Sequence, residues 1–203
     1  MVNSEIIYGS RIGSAIQYGK TSDGDLAAMR VNSSGKLDIV AGAKIYRKNV
    51  TFTAVGAYSQ YDQVGALTEV TNWAAFNGGG ATVREIRISI NKNDITPQFE
   101  VHFYNSSTVT MAGDNGTWTE LAADYTKRAG YVIMPACAKP SGSGTIDLVR
   151  AQSDNYGYPL GKEVCCASDS TSVWMALKLI SAATTFASSP GSTIAVAMAI
   201  EQS

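Results

Sequence analysis

Ser192-Thr193-Ile194-Ala195-Val196-Ala197-Met198-Ala199-Ile200-Glu201-Gln202 decides the fold class. With side chains alternating at period two, Ile194, Val196, Met198 and Ile200 share one face of a strand, and Ala195, Ala197 and Ala199 share the other. A strand apolar on both faces is covered on both, either as a central strand or against another subunit. The bulky face predicts core. The alanine face lets a second surface approach closely, and Trp174, opposite the Val173/Met175/Leu177/Leu179 face, reads the same way. Trp174, Ala195, Ala197 and Ala199 are therefore the candidate subunit interface.

The same alternation recurs upstream. Val50-Phe52-Ala54, Ile86-Ile88-Ile90, Phe99-Val101-Phe103 and Val173-Met175-Leu177-Leu179 each interleave with more polar neighbours, and Tyr131–Met134 is a short continuous run. β-branched and aromatic residues dominate these stretches. Turn-rich joints separate them: Asn77-Gly78-Gly79-Gly80, Asp114-Asn115-Gly116, residues 140–144 and Ser189-Pro190-Gly191. One helix is expected over residues 121–128, with Thr117 and Glu120 as its capping box and Gly130 as its stop. Many strands, one short helix and no βαβ rhythm predict a mainly β chain, an antiparallel β-sandwich or jelly roll.

Residues 1–44 read differently from residues 45–203. Gly9, Gly13, Gly19 and Gly24 interrupt Ile6, Ile7, Ile12 and Ile16 before any period is established, and a small hairpin follows, Met29–Val31 against Leu37–Val40. We expect an extended N-terminal arm that orders against a neighbour, anchored by Ile6, Ile7, Tyr8, Arg11, Ile12, Ile16 and Tyr18, followed by a sandwich body.

Composition narrows the function classes. The 203 residues carry 16 basic and 17 acidic side chains, leaving no global field to hold nucleic acid. Charged residues are only 16% of the chain, and Ala, Ser, Gly and Thr supply about 41%, which suits close sheet packing and protein contact. No apolar run approaches the length of a membrane span, and no secretory leader is evident. The three cysteines include an adjacent pair, Cys165-Cys166, so neither a disulfide framework nor a zinc motif is expected.

No constellation predicts catalysis. His102, the single histidine, shares a strand face with Glu100 and Tyr104, the solvent or interface side, without a nucleophile beside it. Acid pairs such as Asp94 with Glu100, or Glu69 with Glu85, occur by chance in any β protein. Asp23-Gly24-Asp25 and Asp154-Asn155 lack a calcium-loop spacing, and the glycines at 78–80 lack the Lys-Ser/Thr of a phosphate loop. We expect no catalytic residues, no metal and no cofactor.

Phe99–Met134 runs as a strand, Phe-Tyr-Asn with Ser-Ser, a Thr-rich link, an Asp-Asn turn, a short helix and Gly-Tyr-Val-Ile; the chain closes on Ile-Ala-Val-Ala-Met-Ala-Ile-Glu-Gln-Ser. This arrangement, together with the Ser33–Val40 hairpin, resembles auxiliary capsid proteins of tailed bacteriophages, the cement, decoration and minor head proteins. The resemblance covers about two thirds of the chain, chiefly within residues 50–203, and rests on short motifs. It implies a virion protein of the capsid exterior, made in the host bacterial cytoplasm, with the major capsid protein and sister copies as partners and a homotrimer favoured over a dimer. The alternative is a head-fibre or spike-type module that binds a receptor or glycan through Tyr58, Tyr61, Tyr156 and Tyr158.

Overall fold

The computed structural model describes residues 45–92, 94–138, 161–188 and 190–202 with their side chains, and the backbone alone of Ile16–Lys20, Leu26–Val31, Leu37–Ile39 and Val149–Gln152. The chain divides into two units, Met1–Lys44 and Ile45–Ser203.

In the first unit, β1 (Ile16–Lys20), β2 (Leu26–Val31) and β3 (Leu37–Ile39) form an antiparallel sheet in the order β1-β2-β3. The hairpin sets Met29 opposite Ile39 and Val31 opposite Leu37. Ile16 and Tyr18 lie in β1, opposite Arg30 and Ala28. The glycine spacing around them hides this strand from a period count. Ile6, Ile7, Tyr8, Arg11 and Ile12 lie outside the described residues.

The second unit contains β4 (Ile45–Ala54), β5 (Ala57–Tyr58), β6 (Gln63–Val70), β7 (Gly80–Ile90), β8 (Phe99–Tyr104), a 3-10 helix (Ala122–Lys127) and β9 (Arg128–Ile133). After these come β10 (Val149–Gln152), β11 (Lys162–Cys165), β12 (Val173–Leu179), β13 (Thr184–Thr185) and β14 (Ser192–Gln202). One sheet runs β10-β7-β14-β4, with β11 continuing the β10 edge along β7; the other runs β6-β12-β8-β9. Setting aside the two-residue pair β5·β13, and counting β10 and β11 as one interrupted strand, eight strands remain. The first pairs the eighth (β4·β14) and the second the seventh (β6·β12). The third pairs the sixth (β7 with β10 and β11), and the fourth the fifth (β8·β9). Nested antiparallel pairing of this kind, wrapped into two sheets, is a jelly roll.

The bulky faces meet between the sheets. Ile194, Val196, Met198 and Ile200 of β14 pack in one cluster with Ile86, Ile88 and Ile90 of β7, Phe99, Val101 and Phe103 of β8, and Val173, Met175, Leu177 and Leu179 of β12. Each such side chain, removed from water, contributes roughly 1.5–3 kcal/mol. Trp73 closes one end: its indole N–H donates to the Val164 carbonyl at 3.0 Å, and its ring tilts on Phe103 at 5.5 Å.

The helix differs from expectation. Only Ala122–Lys127 turns, as a 3-10 helix whose N-cap, Leu121, makes no side-chain cap. Thr117 cannot cap because its backbone is bridged to Asp62, and the Trp118 N–H donates to the Tyr61 carbonyl at 2.7 Å. Those bonds hold residues 117–118 extended, and Glu120 pairs with Arg128 at 2.9 Å. The helix is anchored instead by buried Asp124, which accepts from the Thr110 amide at 2.9 Å and Lys127 Nζ at 2.8 Å; the Lys127 bond, then the amide, hold its carboxyl below the usual range.

Candidate functional site

The two sheets present very different outer faces. On β14, a central strand between β4 and β7, Ala195 is exposed, Ala197 is half-buried and Ala199 is buried. Their cross-strand neighbours are Thr51, Asn49 and Arg47 on β4, and Ser89, Arg87 and Glu85 on β7. Among the described residues this face is therefore small-sided and open around Ala195, with Thr51 and Ser89 beside it, and carries Asn49, Arg47, Arg87 and Glu85 around Ala197 and Ala199. Trp174 does not share it. It projects from the outer face of β12, in the opposite sheet, and packs with Leu67, Met111 and Trp118 against Tyr104, Val109 and Ala176. Trp174 and the alanines thus lie on opposite sides of the sandwich and form no single patch on one copy, because the bulky side chains of both strands fill the space between the sheets.

On the second sheet, register builds three rows across the outer face. Lys178, Glu100 and Ile133 form one, Ala176, His102 and Tyr131 the next, and Trp174, Tyr104 and Arg128 the third. Ala176 is the small member. The loop of residues 105–121 folds over this gap and sets the Trp118 ring 4.5 Å from the His102 ring, while Tyr131 stacks on His102 at 5.4 Å, 17° from parallel. The loop is held down by specific bonds. Asp114 accepts from the Tyr58 hydroxyl and the Gly65 amide, both at 2.7 Å, and the Gly116 carbonyl accepts from the Gln63 amide at 2.8 Å. Asn115 turns the chain with φ 59°, a conformation asparagine tolerates.

The result is a cleft of about 300 Å³ with Glu100, His102 and Trp118 in its wall, completed by Glu120, Arg128, Tyr131 and Lys178. Every formal charge in it is paired: Lys178 and His102 Nε2 each reach Glu100 Oε2 at 3.0 Å, and Arg128 reaches Glu120. Lys178 also lies 5.3 Å from the Tyr61 ring centre and 5.8 Å from that of Trp118. Arg128 stands 5.8 Å from the Tyr131 ring centre, so both cations lie within cation–π reach of aromatic faces.

Burial pushes His102 down to about 4, against the opposing pull of Glu100. The ring is neutral near pH 7, its Nε2–H donates to Glu100, and Nδ1 is an acceptor. Burial opposes ionisation of Glu100, but bonds from His102 and Lys178 hold its carboxyl below the ordinary value. Burial, then the Glu120 charge, raise the Tyr104 phenol. His102 Nδ1, the Tyr104 hydroxyl and Glu120 Oε1 are buried without a hydrogen-bond partner. Among the described residues, no group of three or more His, Cys, Asp or Glu is placed to hold a metal ion, and no helix is long and apolar enough to cross a membrane.

The alternation along β8 places Glu100, His102 and Tyr104 together as the sequence implies, yet His102, with 3% exposure, is roofed rather than solvent-facing. Of the tyrosines with loop-like contexts, Tyr61 is half exposed beside the cleft, but Tyr58 is buried, edge-on to Phe186 at 5.2 Å. Tyr156 and Tyr158 lie outside the described residues. Trp118, Glu120 and Arg128 carry no local signal for a site; only the loop and the β8·β9 register bring them to His102.

No protein-family model matches the chain, and no curated protein matches it. Among solved structures, a chain of the T13 particle of IBDV, described as a missing link in icosahedral virus evolution, is similar at 10% identity with a TM-score of 0.20. The alignment covers 89% of this chain and 46% of that one, so the chain spans less than half of its neighbour's length. Likeness at that level carries no argument about role.

Proposed function

We propose that the chain is an auxiliary structural protein of a virus particle, a cement or decoration protein that seats on the outside of a phage shell and stabilises it. The observation that carries this reading is the open outer face of the β10-β7-β14-β4 sheet. Its centre is Ala195, flanked by Thr51, Thr53, Ser89 and Thr193, all exposed or half-buried, a patch of small side chains bordered by Arg47, Arg87 and Glu85. A flat, small-sided surface lets another protein backbone approach closely. The resemblance of Phe99–Met134 and of the closing strand to phage auxiliary capsid proteins supports the same role, and the small three-stranded unit ahead of the body suits a second point of attachment. Shell binding then adds up from several weak contacts repeated by symmetry, and a protein that binds only the expanded lattice stabilises it by mass action. The role is mechanical and asks for no catalytic group.

The test is cosedimentation of the full chain with expanded shells of the major capsid protein of the phage that carries it. Wild type should sediment with the shells, and Ala195→Arg, which puts a long charged side chain on the open face, should reduce binding at least about tenfold, the scale set by one buried unpaired charge. Equal binding by both refutes the face assignment, and no binding by wild type refutes the role. Native mass spectrometry at about 64 kDa, three copies of the 21.4 kDa chain, would fit the trimer proposed.

A further inference from the structure

The cleft on the other sheet goes beyond a mechanical role. We infer that the recess walled by His102, Trp118, Glu120 and Tyr131 is a binding site for a neutral, polyhydroxylated ring, a pyranose unit of a glycan.

Three features of the recess define that chemistry. First, the aromatic walls are rings partly open to solvent: Tyr131 is 45% exposed and Trp118 is half-buried. Such faces accept the apolar C–H face of a ring while leaving its edge wet. Secondly, of the three buried atoms without a partner here, the Tyr104 hydroxyl is a donor beside Glu120, which leaves His102 Nδ1 as an acceptor with no donor of its own. His102 Nδ1 is a lone pair because Nε2–H is committed to Glu100, whereas Glu120 gives Oε2 to Arg128 and has the Tyr104 hydroxyl beside it as a donor for Oε1. Buried acceptors without partners call for a ligand, or a ligand-held water, that presents O–H donors. Thirdly, Lys178 and Arg128 are both neutralised by carboxylates, so no surplus charge selects an anion. A molecule with an apolar face, hydroxyl donors at its rim and no charge meets all three demands.

His102, buried to 3% exposure in the cleft wall, is the residue that makes this more than an aromatic patch. Most buried side-chain polar atoms have a hydrogen-bond partner, so an open Nδ1 in the cleft wall marks a place for a donor.

The experiment is titration of the full-length chain with methyl glucoside, methyl galactoside, methyl mannoside, N-acetylglucosamine and neutral oligosaccharides built from them, with sialyllactose as the anionic comparison. Binding is read by calorimetry and by the indole N–H resonances of the tryptophans. At least one neutral saccharide should bind with a Kd of about 0.1–10 mM, the range of a single shallow site. It should move the Trp118 resonance and leave that of buried Trp73 in place. Tyr131→Ala and Glu120→Gln should each weaken binding about tenfold, the scale of one aromatic face or one charged hydrogen bond, and Tyr131→Ala, at a position 45% exposed, should do so without lowering the melting temperature by more than about 2 °C. Phe76→Ala, an exposed aromatic outside the cleft, should bind as wild type. Absence of neutral-saccharide binding up to about 20 mM, some twofold above the weak end of that range, overturns the inference. So does binding indifferent to both substitutions, or binding confined to sialyllactose. Shell binding is measured separately on the opposite face, so either proposal fails without the other.

Discussion

Removing the Asp114 carboxylate should unlatch the loop that roofs the cleft. Asp114 Oδ1 accepts two hydrogen bonds, from the Tyr58 hydroxyl and the Gly65 amide, each at 2.7 Å. Tyr58 is 1% exposed, and its hydroxyl also accepts from the Val55 amide at 3.1 Å. In Asp114→Ala the phenol keeps that bond but loses its own acceptor, and the Gly65 amide loses its partner. Hydrogen bonds to charged groups contribute about 1.5–3 kcal/mol each, but Asp114 itself is exposed, so water replaces part of both. About 1 kcal/mol per bond, about 2 kcal/mol together, is the resulting expectation. At about 2–4 °C per kcal/mol for a chain of this size, the melting temperature should fall by about 4–8 °C. Asp114→Asn, which keeps a carbonyl oxygen at the same place, should lose less than half as much. Tyr58→Phe should lose about 1 kcal/mol, and the double variant should fall short of the sum because the two residues share one bond. Calorimetry and urea unfolding measure all four. An Asp114→Ala protein melting within about 1 °C of wild type, or an Asn variant as damaged as the Ala variant, refutes the latch.

Two further outcomes follow from the packing and from the titration of the site. Gly65 sits at φ +73°, and a Cβ there would meet Phe52 Cδ1 at 2.8 Å and its Cβ at 3.2 Å, so Gly65→Ala should cost about 2–4 kcal/mol through backbone strain and overpacking, read as a lower urea midpoint with an unchanged m-value; a midpoint equal to wild type would show that Phe52 yields freely. His102 titrates near 4 when folded against an ordinary value of 6.5. Between those values the unfolded chain binds the extra proton, so stability is complete above pH 6.5 and declines toward pH 4, by up to roughly 3 kcal/mol. The Lys178 and Arg128 charges act in the same direction on the imidazole, and Glu100 opposes them. Because the Glu100 carboxyl is held below its ordinary 4.5, its own contribution is lost only as pH falls through its folded value, mostly beneath this window. His102→Gln should therefore flatten the urea midpoint between pH 6.5 and 4.5, and an unchanged slope would mean that the ring is not the group responsible.

What was legible in the sequence was what repeats at short range. The alternation of Val50-Phe52-Ala54, Ile86-Ile88-Ile90, Phe99-Val101-Phe103, Val173–Leu179 and Ile194–Ile200 marks β4, β7, β8, β12 and β14, because each strand buries one face in the same core. β6 hides because Gly65 and Ala66 interrupt its period, and β10 and β11 hide because one sheet edge is made from two short pieces. The expected helix over residues 121–128 shortened because backbone bonds to Tyr61 and Asp62 had already claimed residues 117–118, partners more than 50 positions away that no local capping rule can register. The site divides the same way. Glu100 and His102 fall together by their spacing of two. Lys178 joins them through β8·β12 register, Tyr131 through β8·β9, and Trp118 through a loop latched by Asp114. Each of those steps is long-range.

Alanine plays two parts in this sandwich, and the difference lies in what covers it. Ala176 on β12 and Ala195 on β14 both sit on an outer face, each at the centre of its sheet, and each leaves a space where a longer side chain would stand. At Ala176 the chain supplies its own cover: Trp118 descends from the loop, the alanine is fully buried, and the neighbouring His102 is enclosed with it. At Ala195 no described segment descends, and the residue is exposed. A covered gap becomes a recess with fixed walls, suited to a small ligand. An uncovered one remains a flat surface, suited to another protein. The two proposals fall on different outer faces, and since these are separated by the full thickness of the core, a charge placed at Ala195 should leave the Tyr131 wall untouched, and truncation of Tyr131 should leave the open face intact.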